Sequence, residues 1–261
     1  MGKIFITSLL LLSCLSLFAE KRQDDILSRI GIDQRLNEML PLDAMLYDEE
    51  AQPVKLSRYF GEKPVILTLV YYECPMLCTQ VLSGLVTCLR ALPFKVGKEF
   101  SILTVSFDPG EKSSLALEKK KNYLQELHQA GAQEGWHFLT ADQPSIDAIT
   151  QAVGFRYDYD AKTDQFAHAS AIMVITPNGK ISKYFYGIEY APRDLKFAIL
   201  EASNNKIGSF QDRVLLYCYH YDPVTGKYGL SIMNLIRVAG GMTVVAIGLF
   251  IITMLRRDRK L

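Results

Sequence analysis

The chain has 261 residues, 49% of them hydrophobic and 11% aromatic, with 29 basic and 28 acidic side chains. This composition excludes intrinsic disorder, and the length allows one large domain or two small ones with a full-sized core. The formal net charge of +1 leaves no basic excess to neutralise phosphates, so no nucleic-acid partner is expected. Five cysteines are too few and too scattered for a disulfide-framework protein.

The N-terminus has the layout of a secretory signal peptide. Lys3 precedes an apolar run, Ile4–Phe18, and the small residue Ala19 follows it. A charged start, a short apolar middle and a small residue at the cut are typical of this signal, so residues 1–19 are predicted to be removed. An uncleaved anchor is one alternative, although the run is short for a spanning helix. Lipidation at Cys14, which follows Leu-Leu-Ser, is another.

The central part of the chain alternates between strand and helix patterns. Pro64–Tyr72 is a near-continuous apolar, β-branched run, as expected for a strand buried on both faces. The region after it has apolar residues at helical spacing up to about Leu92. The full order of predicted elements is a hairpin over Ala44–Leu46 and Pro53–Leu56, strand Pro64–Tyr72, a helix to Leu92, strand Ser101–Phe107, helix Glu111–Ala130, strand Trp136–Leu139, helix Pro144–Val153, strands Ala169–Thr176 and Lys180–Tyr186, and helix Pro192–Ala202. This alternation predicts a three-layer α/β sandwich for the domain at residues 20–210.

The C-terminal region is predicted to anchor the protein. Val238–Leu255 contains no charge, and the helix assigned to residues 230–255 is long enough to span a bilayer. Residues 256–261 are mostly basic and should stay in the cytoplasm by the positive-inside rule. Together the two ends predict a single-pass protein of the cell membrane, with its domain on the extracytoplasmic side. A buried core helix is the alternative for this segment.

Two cysteines mark the end of the first buried strand. Cys74 and Cys78 are four positions apart and straddle the predicted junction between strand and helix. Backbone N–H groups and the helix dipole at that junction are expected to favour the thiolate form. Such a pair can exchange disulfides or hold a soft metal such as copper(I). A structural disulfide is the third possibility outside the cytoplasm.

The motif around these cysteines resembles that of the Sco family, thioredoxin-fold copper chaperones that serve cytochrome c oxidase assembly. The family's CPxxC is matched by Cys74, Pro75 and Cys78, and its histidine ahead of a Pro-(Asn/Asp)-Gly turn by His168. Its strand-ending Asp-Pro is matched at Asp108. The resemblance covers roughly residues 40–203. It implies a thioredoxin-like fold, copper(I)/copper(II) as the bound metal, these three ligands, and a copper-accepting subunit of a terminal oxidase as the partner.

The chain departs from the family pattern in several places. Met76 and Thr79 stand where many members carry Asp and Pro, and Ala167 stands where Asp commonly precedes the histidine. Typical members are anchored by an N-terminal helix, whereas this chain is predicted to be anchored at its C-terminus. The lost acidic residues bear on partner recognition and on copper(II) tuning, but the three predicted ligands are retained.

A comparison with thioredoxins favours metal chemistry over disulfide chemistry. Thioredoxins carry a cis-proline eight residues before the turn glycine, and Ala171 holds that place here. The cysteine spacing is also one residue longer than CxxC. His168 instead offers an imidazole donor suited to copper, and two thiolates with one imidazole suit trigonal copper(I). A hydrogen-bonded surface histidine is the plain alternative.

Three further residues are candidates for accessory roles. Asp108 could orient a ligand or partner, or cap the following helix. Cys218 and His220 lie in the Tyr-rich segment 211–229, and would share one face of a strand. That pair could bind copper just above the membrane, or the segment could be an aromatic interface element with incidental Cys and His.

The leading hypothesis is a membrane-tethered copper chaperone, a transfer protein and not a turnover enzyme, that serves the binuclear copper site of cytochrome c oxidase. The alternative is an extracytoplasmic thiol–disulfide oxidoreductase, in which Cys74 attacks and Cys78 resolves, that reduces the oxidase's copper-binding cysteines. A peroxidase is the third hypothesis and is disfavoured. Thioredoxin-fold peroxidases carry Thr three residues before the reactive cysteine, whereas this chain has Tyr71 at that position.

Overall fold

The computed structural model describes residues 29–74, 77–204, 219–222, 227–230, 240–243 and 247. The predicted signal peptide, Cys14, Cys218 and the basic tail lie outside these residues, as does most of the predicted spanning segment. The chain divides into two compact units, the first up to residue 208 with 223–226 and the second comprising 209–222 and 227–261.

The first unit is built on a seven-stranded mixed sheet. Its strand order is β10-β9-β4-β5-β6-β2-β3. The strands of this unit are β1 Gly31–Ile32, β2 Met45–Tyr47, β3 Pro53–Lys55, β4 Val65–Val70, β5 Ser101–Ser106, β6 Trp136–Ala141, β7 Phe155–Asp160, β8 Gln165–His168, β9 Ala171–Ile175 and β10 Ile181–Tyr186. Its helices are α1 Leu77–Ala91, α2 Ser113–Leu127, α3 Gln143–Ala152 and α4 Pro192–Ser203. The predicted elements are therefore confirmed, with ends that shift by a few residues.

The centre of the sheet is parallel and fully covered. β4, β5 and β6 run parallel, and every residue of β4 is buried. A continuous apolar strand of this kind needs cover on both of its faces. α1 and α2 form two successive crossovers in the same direction, and right-handed crossovers place both on one face of the sheet.

The register of the strand pairs shows which residues lie on each face of the main sheet. Thr68 pairs with Thr104, and their hydroxyls share a 3.0 Å hydrogen bond on the face against which α2 packs through Tyr123. The residues next to these threonines point to the opposite face. On that face Leu67 and Tyr184 are paired with the same residue of β9 and so lie in one row across the sheet. The Tyr184 hydroxyl donates to the carbonyl of Val153, 3.0 Å away at the end of α3. Helices therefore cover both faces, and the predicted three-layer α/β sandwich is confirmed.

A second, small sheet was absent from the sequence prediction. It has the order β1-β7-β8, with Tyr157 paired to His168 at the end of the hairpin. Its signal was the alternation of aromatic and charged residues over Phe155–Asp160, which is typical of a half-exposed strand. Only Phe155 of β7 is buried, so no apolar run marked the strand.

The described part of the second unit includes a hairpin. β11, Tyr219–Asp222, pairs antiparallel with β12, Lys227–Leu230. This agrees with the predicted strand at His220, while residues 223–226 of the predicted turn lie outside the described residues. Among the described residues, none of the helices is both long and apolar enough to cross a bilayer.

Candidate metal centre

Three loops meet at one edge of the main sheet. β4 and β5 are parallel, so the loops that follow them, carrying Cys74 and Asp108, leave the sheet at the same edge. β9 is antiparallel to β4, so His168, which precedes it, lies at that edge as well. The topology thus brings together residues that are 90 positions apart in the sequence.

The two cysteines and the histidine form one group of donor atoms. Their sulfur and nitrogen atoms all lie within 4.8 Å of one another, and the Cys78 Sγ is 3.3 Å from the His168 Nε2. The exposed fractions are 8% for Cys74, 3% for Cys78 and 8% for His168. One ion with bonds of about 2.0–2.3 Å can contact ligands up to about 4.6 Å apart. The group is therefore close to the size that a single small metal ion requires.

The hydrogen bond at Nδ1 fixes which nitrogen of His168 is available. Nδ1 lies 2.9 Å from the carbonyl oxygen of Ala169. Because a carbonyl oxygen only accepts, Nδ1 must carry the proton. Nε2 is then the nitrogen with the free lone pair, and it faces the Cys78 sulfur. An imidazole held in this way through its other nitrogen is typical of metal-binding histidines. The surface-histidine alternative is wrong, since the ring is buried.

Backbone groups position the two sulfurs. The N–H of Cys78 donates to the Cys74 Sγ at 3.4 Å, and the N–H of Tyr71 donates to the Cys78 Sγ at 3.5 Å. Both cysteines are in the reduced form in the structure.

The expectation that the helix terminus favours the thiolate is wrong for Cys78. Burial raises the pKa of the Cys78 thiol well above its ordinary value, and a hydrogen bond to Cys74 adds to the increase. The N–H of Tyr71 lowers this pKa, but it does not offset the burial. Without a metal or another cation, Cys78 is therefore a protonated thiol at neutral pH, and a metal must displace its proton.

Aromatic rings enclose the imidazole of His168. The ring of Phe107 lies 5.2 Å from it, that of Phe155 5.9 Å and that of Tyr71 6.0 Å, measured between centroids. Phe107 follows β5, Phe155 begins β7 and Tyr71 follows β4. These three rings, together called the aromatic cage, fix the histidine-bearing hairpin against the main sheet.

Glu111, which the sequence analysis did not single out, contacts the cysteine loop. Its Oε2 accepts the N–H of Tyr72 at 2.8 Å and its Oε1 accepts the N–H of Glu73 at 2.7 Å. Burial raises the pKa of Glu111, while hydrogen bonds from Ser106 and from those two backbone groups lower it. No motif marks this residue, because its partners are backbone atoms of a distant loop.

The predicted accessory residues do not join this group among the described residues. Asp108 accepts a 2.7 Å hydrogen bond from the Gly110 N–H and so shapes the turn after β5. It does not cap α2, whose N-cap is Lys112. Cys218 lies outside the described residues, and His220 is placed only as part of β11. Their accessory roles, and that of Asp108, stay predictions.

The family model described as SCO1/SenC matches residues 43–201, which include the three donor residues, helices α1 to α3 and all but the last two residues of α4. The chain belongs to the SCO1/SenC family. The resemblance stated from the motif is thereby confirmed. No curated protein matches the chain.

Solved structures of similar proteins agree with this family. An electron transfer protein from Aquifex aeolicus VF5 is 25% identical with a TM-score of 0.58, and the match covers 65% of this chain and 95% of that one. Arabidopsis thaliana ScoI with copper bound is 16% identical with a TM-score of 0.51, covering 66% and 99%. BsSco, named as a member of the Sco family of cytochrome c oxidase assembly proteins with a disulfide switch, is 19% identical with a TM-score of 0.51, covering 67% and 99%. These likenesses support the thioredoxin-like SCO1/SenC fold.

Proposed function

We propose that this SCO1/SenC protein is a copper chaperone that binds copper(I) through Cys74, Cys78 and His168. The observation that carries the proposal is the group itself, in which two thiols and one imidazole lie within 4.8 Å with Nε2 free to bind. Soft thiolates with one imidazole suit copper(I). The copper-bound Arabidopsis relative supports the choice of metal.

The acceptor would be the copper-binding subunit of a terminal oxidase, at its binuclear copper site. The membership of BsSco in a family of cytochrome c oxidase assembly proteins supports this partner. Transfer would proceed by ligand exchange. The incoming thiolates of the acceptor replace the sulfurs of this chain one at a time, and each departing cysteine regains a proton. Copper remains copper(I) throughout, so no oxidant or reductant is needed.

The proposed location is the outer side of the cytoplasmic membrane, with residues 230–255 as the anchor and 256–261 in the cytoplasm. The uncharged run Val238–Leu255 and the basic residues after it support this topology. A reporter enzyme that folds only after export tests it. Fusion after residue 229 should give an active reporter and fusion after residue 261 an inactive one. Activity in both fusions would contradict a cytoplasmic C-terminus.

A titration with copper(I) tests the metal site. The full chain, reduced and held in detergent, is titrated against a chromophoric copper(I) chelator under anaerobic conditions. We expect one tight site, weakened about 100-fold or more by His168→Ala, because even the loss of an outer-shell partner costs roughly 10–100-fold. The control is His128→Asn, which changes an exposed histidine with φ of 55° that Asn tolerates.

A second function, a thiol–disulfide oxidoreductase, is favoured by one specific observation. The Cys78 N–H donates to the Cys74 sulfur, and the two sulfurs lie within 4.8 Å of each other, so the two thiols are neighbours in space. In this function Cys74 attacks a disulfide of the oxidase and Cys78 resolves the mixed disulfide, leaving two thiols on the substrate. Copper affinity that is unchanged in His168→Ala, together with a disulfide that cycles near the glutathione potential, would favour this function over the first.

A further inference from the structure

The carboxylate of Glu111 reaches from one loop to another beside the candidate metal centre. Glu111 belongs to the loop between β5 and α2, and its two oxygens accept the N–H groups of Tyr72 and Glu73 at 2.8 and 2.7 Å. Glu73 is the residue directly before Cys74. These two N–H groups follow the last residue of β4, so the carboxylate replaces the ladder partners that the end of the strand lacks.

The same carboxylate also accepts a hydrogen bond from β5, the strand that precedes its own loop. The hydroxyl of Ser106 donates to Glu111 Oε2 at 2.5 Å. Ser106 is the last residue of β5 and pairs with Val70, the last residue of β4. One carboxylate therefore joins the ends of two neighbouring strands and receives three hydrogen bonds, a number that an acceptor-only group can satisfy.

Cys74 directly follows Glu73, one of the two residues whose N–H groups the carboxylate accepts. Its own N–H donates to the carbonyl of Tyr71 at 3.3 Å, its sulfur accepts the N–H of Cys78 at 3.4 Å, and the following residue, Pro75, has no N–H to donate. Cys78 is held in the first turn of α1 and His168 by the aromatic cage. Cys74 lies between them along the chain of contacts, in the loop after β4 that the Glu111 carboxylate holds. We propose that Glu111 is the positioning residue that fixes Cys74 relative to Cys78 and His168, an inference that rests on the proposed copper site.

The test compares Glu111→Gln with Glu118→Gln in the full chain. Glu118 is exposed and lines the same groove as Glu111, so its replacement removes an equal charge from the same surface. In Glu111→Gln, the amide keeps one accepting oxygen but turns an NH₂ donor toward N–H donors. We expect copper(I) affinity to fall about tenfold in Glu111→Gln, as for other outer-shell partners, and to change less than about twofold in Glu118→Gln.

Two further measurements separate positioning from general stability. Hydrogen exchange of the Tyr72 and Glu73 amides should accelerate in Glu111→Gln while exchange in β9 stays unchanged. The reduction potential of the Cys74–Cys78 pair against glutathione should also shift in Glu111→Gln but not in Glu118→Gln. Equal copper affinity and equal potential in the two variants would overturn the inference, even if exchange accelerates.

The outcomes remain separable from those of the proposed function. If the wild-type chain binds no copper(I), the proposed function fails, and the reduction potential alone then decides whether Glu111 positions Cys74. If Glu111→Gln does not fold, Ser106→Ala replaces it, because this change removes one of the three hydrogen bonds and leaves the carboxylate. A smaller loss of copper affinity is then expected, and an unchanged affinity would overturn the inference.

Discussion

The Nε2 atom of His168 lies 3.3 Å from the Cys78 sulfur, although 90 positions separate the two residues. The contact joins the first turn of α1 to the end of β8, and β8 belongs to a different sheet from β4, the strand that precedes the cysteine loop. The candidate centre therefore depends on how the histidine-bearing hairpin packs against the main sheet. The spacing within the CPxxC motif alone does not create it.

Copper(I) binding should release protons. Burial raises the pKa of Cys78, so the metal-free thiol is protonated at neutral pH and must lose its proton to bind the metal. The apparent copper(I) affinity should therefore rise as pH increases, by up to about tenfold per unit for each proton displaced. Competition titrations at several pH values between 6 and 8 measure this slope. Cys78→Ser should reduce the slope, and a flat profile in the wild type would refute the prediction.

Truncating Phe107 should weaken both the fold and the site. Phe107 is 1% exposed and contacts His168 and Phe155 within the aromatic cage. Phe107→Ala should lower the free energy of unfolding by about 3–5 kcal/mol, as expected for a large cavity. Urea denaturation measures the loss. Phe197→Ala, at a position 48% exposed, is the matched control and should cost less than about 1 kcal/mol. Equal losses would show that the cage does not stabilise the domain.

His137 should make stability depend on pH. Burial lowers its pKa below 6.5, nearby Lys120 lowers it further, and Glu49 opposes the change. A lowered pKa in the folded state means that this contribution to stability is fully present above pH 6.5 and is lost as pH falls through the folded value. The gap in unfolding free energy between the wild type and His137→Gln should therefore shrink below pH 6.5. Denaturation at a series of pH values checks this, and a constant gap would contradict it.

Gly84 should not tolerate a side chain. A Cβ at this position of α1 would lie 1.8 Å from the carbonyl oxygen of Ile188, in the connection before α4. Alanine favours helices over glycine, by about 0.8–1.0 kcal/mol. The backbone clash should exceed that gain, so Gly84→Ala is expected to lower the free energy of unfolding by about 1–3 kcal/mol. Ser83→Ala, one position earlier, should change it by less than about 0.5 kcal/mol. Stabilisation by Gly84→Ala would show that the two backbones separate easily.

Most elements of the fold could be predicted from sequence patterns within short segments. The buried run at β4 and the Pro-Asn-Gly turn between β9 and β10 were visible in the sequence, because each is specified by neighbouring residues. The β7–β8 hairpin was not predicted, since β7 is half exposed and only Phe155 is buried. Phe155 is buried because it packs in the aromatic cage, whose rings come from three separate segments of the chain.

The site was predicted in part for a similar reason. Cys74, Cys78 and His168 were found from a motif resemblance, whereas the protonated state of Cys78 depends on burial that no local pattern reveals. Glu111 acts on backbone N–H groups nearly 40 positions away (separations of 39 and 38 to Tyr72 and Glu73). Every residue except proline has a backbone N–H, so the sequence does not show which of them a distant carboxylate will contact. Such a contact can be recognised only in the folded structure.

The separation of the donors along the chain also sets an order of events during synthesis. Both cysteines leave the ribosome long before His168, and the imidazole reaches them only after the β7–β8 hairpin has been made. A partly synthesised chain therefore exposes a pair of thiols without the third donor. During that interval the two thiols offer a metal ion no more than two protein donors, and the group of three is complete only once the hairpin has packed against the main sheet.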